Sequence, residues 1–139
     1  MSHISKIELE VKSIETLKQV CKDMNFMFME NQKTYTWYGR GQGSTSLPEG
    51  LTTDDLGKCQ HAIKVPGCLY EIGVIKLGRH YTLLWDNWSG GGLDEKLGNN
   101  AGKLKQAYAK ATIRKEARLK GYRMSEQKTD KGIRLTLSL

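Results

Sequence analysis

Ile4-Ser5-Lys6-Ile7-Glu8-Leu9-Glu10-Val11-Lys12 is the stretch on which the fold class turns. In an extended chain Ile7, Leu9 and Val11 fall on one face, and Lys6, Glu8, Glu10 and Lys12 on the other. That period of two marks a strand with one buried face. It begins so close to Met1-Ser2-His3 that the chain is expected to start inside its own fold, with no leader ahead of it.

Moving outward, Ser13 is a good helix N-cap, and Ile14, Leu17, Cys21 and Met24 then recur at helical spacing. Asn25 suits the left-handed turn that ends such a helix. Residues 26–38 are expected as a strand, with Phe26 and Phe28 on one face, Met27 and Met29 on the other, and Thr34-Tyr35-Thr36-Trp37-Tyr38 as strong β-formers. Residues 39–57 carry five glycines, a proline and Ser44-Thr45-Ser46, a long connection of the kind that often carries function.

Sheet then resumes. Cys59, His61, Ile63 and Val65 alternate with Gln60, Ala62 and Lys64; Pro66-Gly67 makes a turn; Tyr70, Ile72 and Val74 alternate again. Leu77-Gly78-Arg79 predicts a hairpin into residues 80–85. A second glycine-rich stretch, 89–102, precedes the longest helix, expected over 103–120. Leu104, Ala107, Tyr108, Ala111 and Leu119 share one face of it, with Ile113 and Ala117 nearly opposite. Gly121 stops it. A strand over 122–127, a turn at Asp130-Lys131-Gly132 and a strictly alternating strand with Ile133, Leu135, Leu137 and Leu139 close the chain.

The order is β-α-β, a β-hairpin, then α-β-β. Its natural solution is an α+β fold, a mainly antiparallel sheet with two helices on one face. Each helix ends in a small residue and an aromatic (Asn25-Phe26, Gly121-Tyr122). A polar run follows each, Glu30-Asn31-Gln32-Lys33-Thr34 and Glu126-Gln127-Lys128-Thr129. These echoes fit a pseudo-duplicated unit, although two such matches also arise by chance.

With 139 residues, a single domain over 1–139 is expected, with glycine-rich insertions at about 39–57 and 89–102. A domain of this size buries roughly two-thirds of its unfolded surface. No apolar run reaches the ~18 residues that a membrane span needs, and none resembles a signal peptide. A cytoplasmic protein with no membrane partner is the expectation. Cys21, Cys59 and Cys68 are odd in number and lack CxxC spacing, which argues for reduced thiols. Lys and Arg total 22 against 15 Asp and Glu, a formal charge of +7 and a pI near 9.3. Such an excess attracts polyanions and phosphorylated small molecules.

Several stretches together resemble one family. They are Met1-Ser2-His3-Ile4-Ser5-Lys6-Ile7, Leu17-Lys18, Ile72-Gly73-Val74, residues 81–86 followed by Trp88, Gln106-Ala107-Tyr108-Ala109, Gly121-Tyr122 and Ile133-Arg134-Leu135. The chain is similar, in this order and over most of its length, to the hypothetical chloroplast open-reading-frame family numbered thirty-five. That family is a domain of unknown function in algal plastids, cyanobacteria and other bacteria. The resemblance implies a small single-domain α+β protein without an established cofactor or catalytic set, and it supplies no site residues. Family members are shorter across 39–57 and 89–102, so a specialised role would lie there.

Candidate sites follow from chemistry. Gly39-Arg40-Gly41-Gln42-Gly43-Ser44-Thr45 invites comparison with phosphate-cradling loops, with Arg40 adding charge. The Gly-Lys-Ser/Thr ending and the following helix are both missing, however, and an inert connection explains the glycines as well. On the 103–120 helix, Lys103, Lys110 and Arg114 form a stripe with Arg118 close by, able to track phosphates. An ordinary solvated face has the same spacing. Trp37, Tyr38, Trp85 and Trp88 offer stacking surfaces for bases. Aromatics in strands usually belong to the core, and only Trp88 is expected to be substantially exposed.

Cys59, His61, Cys68 and His80 are the nearest approach to a metal cluster, with Cys59 and His61 on one side of a strand. Core alternation accounts for them equally well, and no metal is assigned. Met1-Ser2-His3 would chelate Cu(II) only if Met1 is retained. No catalytic constellation emerges. Cys59 and His61 lack a third group to orient the imidazole, His80 and Asp86 stand some 20 Å apart on one strand, and Glu71 has no carboxylate partner. The sequence therefore points to a non-catalytic small basic binding module without a cofactor. Its anionic ligand would be nucleic acid or a nucleotide-type small molecule, held by Arg40, Lys103, Lys110 and Arg114 with Trp88 stacking. The alternative is a protein-interaction adaptor or inhibitor acting through a sheet edge or the glycine-rich loops.

Overall fold

Ser13 separates β1 (Ile4–Val11) from α1 (Ile14–Asp23) and caps the helix, its hydroxyl accepting the Thr16 N–H at 3.2 Å. The structure, a computed structural model, describes residues 4–37 and 56–138. α1 ends as its sequence requires. Asn25 takes a φ of 61°, and the Phe26 N–H turns back onto the Cys21 carbonyl at 2.7 Å.

The strand that follows is much shorter than the β-formers suggest. β2 covers only Met27–Met29, because Asn31 adopts a left-handed φ of 64° and the Gln32 N–H closes a turn onto the Met29 carbonyl. Residues 33–36 then leave the sheet edge. They pair locally with 57–59, through Tyr35 N–H to the Gly57 carbonyl at 3.0 Å and Cys59 N–H to the Lys33 carbonyl at 2.9 Å. The continuous strand expected over 26–38 is thus two pieces with different tasks.

β3 (His61–Lys64), β4 (Glu71–Leu77) and β5 (His80–Asp86) complete a five-stranded antiparallel sheet of order β1-β5-β4-β3-β2. Gly78-Arg79 joins β4 to β5 as a two-residue hairpin, with Leu77 opposite His80. β1 and β2 occupy opposite edges, and α1 links them.

One face of the sheet presents Ile7, Val11, Ile63, Ile72, Val74, Leu83 and Trp85. These pack with Leu17, Val20 and Cys21 of α1 and with Leu104 and Tyr108 of α3 (Gly102–Lys120). Two long helices on one face of a mainly antiparallel sheet is the α+β arrangement that the element order implies. A short helix, α2 (Leu93–Leu97), lies inside the glycine-rich 89–102 stretch, and Leu93, Leu97 and Ala101 are fully buried in the same core.

The opposite face is covered too. Ile4, Ala62, Ile75 and Leu84 lie beneath Tyr35 and Cys59, with Trp37 and Leu56 packed alongside. This explains why β4 and β5 are buried over consecutive residues and not alternately. Tyr35 sits against the sheet where Gly73 leaves room. A β-carbon at Gly73 would come within 2.5 Å of the Tyr35 ring.

β6 (Arg123–Thr129) and β7 (Gly132–Ser138) form a second, two-stranded sheet of their own. Gly121, at a φ of 75°, closes α3, and the Tyr122 N–H returns to the Ala117 carbonyl at 2.8 Å. Leu119 was expected on the packed face of α3, but it is 77% exposed, while Ala117 is buried in its place. The stripe computed at constant helical pitch drifts over nineteen residues, and α3 changes neighbours along its length, from α2 at its start to β6 near its end.

Candidate functional site

α3 and the β6–β7 hairpin hold the positive charge. Residues 103–139 contain eleven of the 22 lysines and arginines but three of the 15 acids, which leaves the first 102 residues with eleven cations against twelve acids. The whole surplus of the chain sits in its last 37 residues. The expected site residues are distributed differently from that surplus.

The register puts Met124/Leu137, Glu126/Leu135 and Lys128/Ile133 on one face of the hairpin. This face is turned towards α3. Glu126 lies 3.0 Å from Lys110 Nζ and 3.6 Å from Arg114. Lys110 and Arg114 do stand together, as their spacing predicts. Each is engaged with Glu126, so the pair tethers the ribbon to the helix. The other nine cations of this unit have no acid within 4.0 Å among the described residues.

The opposite face of the ribbon carries Arg123/Ser138, Ser125/Thr136, Gln127/Arg134 and Thr129/Gly132. All six of Arg123, Ser125, Gln127, Arg134, Thr136 and Ser138 are exposed. None was singled out from the sequence, where the strict alternation in 133–139 drew attention to the apolar partners instead. A charge count over successive windows would have found the unit.

Between α1 and α3 lies a cleft of about 280 Å³, lined by Glu15, Thr16 and Gln19 on one side and Ala111, Arg114, Lys115 and Arg118 on the other. Glu15 tempers its charge, so it offers mixed polarity.

Lys103 is exposed at the start of α3, about 10 Å along the axis from Lys110. Trp88 is 44% exposed, the most exposed of the described tryptophans, with Trp85 buried and Trp37 half-buried. Its ring rests on Gly90 and stands 6.3 Å from Tyr70, so its neighbours belong to the loops flanking β4 and β5 and not to α3. Arg40, Tyr38, Met1-Ser2-His3 and most of the 39–57 stretch lie outside the described residues.

The four metal candidates do not converge. Cys59 packs on the face covered by Tyr35, its thiol donating to the Gln32 carbonyl at 3.2 Å. His61 lies on the other face, its ring 5.3 Å from Phe28 and 6.0 Å from Tyr81. The two-residue spacing fails because Cys59 precedes β3, separated from it by a bend at Gln60. His80 approaches Glu10 at 4.0 Å, and Cys68 packs beside Gly92. No group of three metal-binding side chains occurs among the described residues.

Burial raises the Cys21 thiol to about 12 and the Cys59 thiol to about 11, and it raises Cys68 as well. None is an activated nucleophile. Burial also lowers the His61 imidazole, whose Nδ1 accepts the Asn31 N–H at 2.9 Å. Lys18 and Glu30 meet at 2.7 Å above Phe28, and their hydrogen bond holds the Glu30 carboxyl below its usual range. Glu71 accepts from Thr36 N–H, Thr36 Oγ1 and Gln32 Nε2, fastening 32–36 to the sheet. These arrangements build the fold. In the charged unit, by contrast, nine cations take part in no ion pair among the described residues. No family model, no curated protein and no solved structure matches the chain.

Proposed function

We propose that this protein is a non-catalytic binding module for a polyanion, nucleic acid in particular, and that it binds through the α3–β6–β7 unit. The observation that supports the reading is the partition of charge. Eleven cations against three acids in 37 residues contrast with a nearly neutral remainder. Lys115, Arg118, Lys120, Arg123, Lys128, Lys131 and Arg134 follow one helix and one ribbon, an extended track that suits a polymer better than a single nucleotide. Lys110 and Arg114 serve this reading as tethers, and Lys103 extends the track. Trp88 stands apart from the track, beside Gly90 and Tyr70, and Arg40 lies outside the described residues. We propose further that the module is cytoplasmic, works without a cofactor and is related to the plastid open-reading-frame family that its sequence resembles.

The test is fluorescence anisotropy with a labelled 20-nucleotide duplex across a salt series. The expected outcome is a linear fall of log K with log salt, with a slope of about −0.9 per phosphate neutralised. Replacing Arg118, Arg123 and Arg134 together by alanine should flatten that slope by about 2–3. Unchanged affinity in this variant, or binding indifferent to salt, would overturn the reading.

The adaptor alternative has one observation in its favour. Leu119, Tyr122 and Leu137 are exposed around the α3–β6 corner. A stoichiometric protein partner, captured without nucleic acid and lost on Leu119→Ser with Leu137→Ser, would select it.

A further inference from the structure

We infer that the polyanion is double-stranded DNA and that the outward face of the β6–β7 ribbon enters its major groove. This deepens the reading above and rests on it.

The first observation is the chemistry of that face. Arg123, Ser125, Gln127, Arg134, Thr136 and Ser138 supply two guanidinium groups, one amide and three hydroxyls, all exposed, with no carboxylate among them. Glu126, the acid of these two strands, is turned inward and neutralised by Lys110 and Arg114. Gln127 and Arg134 are directly opposite one another, one outward pair before the turn. Arginine matches the O6/N7 edge of guanine, and glutamine the N6/N7 edge of adenine, both in the major groove.

The second observation is shape. Seven paired residues in each strand make a ribbon about 20 Å long with strands about 5 Å apart. A groove about 12 Å wide admits such a ribbon, whereas the deep, narrow major groove of duplex RNA does not. Arg118 and Lys120 stand at the base of the ribbon, and Lys128 and Lys131 towards its turn, so phosphates along the groove walls meet cations at both ends.

The third observation concerns stacking. The outward face carries no aromatic side chain. Recognition of single strands relies on bases stacked against aromatic rings, and nothing on this face provides them.

The experiment compares four labelled probes at one salt concentration: a 20-base-pair DNA duplex, each of its strands alone, and the RNA duplex of the same sequence. Tenfold or tighter binding of the DNA duplex is expected. Gln127→Ala and Arg134→Ala should each weaken it about fivefold or more, their folding checked by circular dichroism. Guanine N7 in the bound duplex should be protected from dimethyl sulfate. Equal binding of all four probes with the salt slope intact, or tight duplex binding that leaves guanine N7 unprotected, would overturn the groove assignment and leave the polyanion reading standing. Binding of no probe would overturn both.

Discussion

β4–β5 and β6–β7 are both antiparallel hairpins of two seven-residue strands, and they are built on opposite terms. In β4–β5 both faces are covered, one by α1 and α3 and the other by Tyr35 and its neighbours. In β6–β7 Met124, Ile133 and Leu135 on one face and Gly132 at the turn are half-buried, and the rest is exposed. Antiparallel pairing of the same kind is therefore expected to carry very different stability, because burial of side chains and not the hydrogen-bond ladder supplies the larger share. The buried hairpin is committed to holding the molecule together. The exposed one is available for an outside partner.

The strongest test of that contrast is truncation. Leu83→Ala, at a fully buried position of β5, should cost about 3 kcal/mol and lower Tm by about 10 °C, whereas Leu137→Ala should cost under about 1 kcal/mol. Equal losses by thermal denaturation would break the comparison. Next comes overpacking. Gly73→Val drives a β-carbon into the Tyr35 ring and should cost about 2–3 kcal/mol, while Ser125→Val on the open ribbon should stay within about 0.5 kcal/mol.

Smaller effects sharpen the boundary between the two regions. Glu126→Gln weakens the tether to Lys110 and Arg114, a partly exposed set that is worth about 1 kcal/mol at most. Amide exchange should quicken by about fivefold or less in β6–β7 and stay unchanged in β4–β5. The smallest effect is a response to pH. The folded His61 imidazole titrates below its unfolded value of about 6.5, so the unfolded chain binds the proton first. Stability is whole above about pH 6.5 and declines as pH falls below it, since protonated Nδ1 no longer accepts the Asn31 N–H. A loss of about 2–4 °C between pH 7 and 5.5 is expected, and His61→Gln should flatten it. The ribbon contains no histidine. Its amide exchange, corrected for the intrinsic dependence on pH, should not follow.

Local chemistry made much of the fold legible. Ser13, Asn25, Gly121 and the Gly78-Arg79 turn act where their types predict, because caps and turns depend on a few neighbouring residues. The extent of β2 was not legible. Thr34, Tyr35 and Trp37 favour strand in any context, but Asn31 turns the chain away, and only the packed molecule shows Tyr35 seated on Gly73. α2 was hidden for a related reason, since a five-residue stretch with only Leu93 and Leu97 apolar, set among glycines, is too short to reveal a helix. The candidate site was half legible. Lys110 and Arg114 were visible as a pair, but the acid that claims them is sixteen residues from Lys110 in sequence and meets it only in three dimensions.

The seating of Tyr35 on Gly73 also bears on how this chain can diverge. A larger residue at position 73 would be admitted only alongside a smaller one at 35, and a smaller residue at 35 would open a void above the sheet unless 73 filled it. Substitutions at these two sites, thirty-eight positions apart, should accordingly arise as compensating pairs among natural variants.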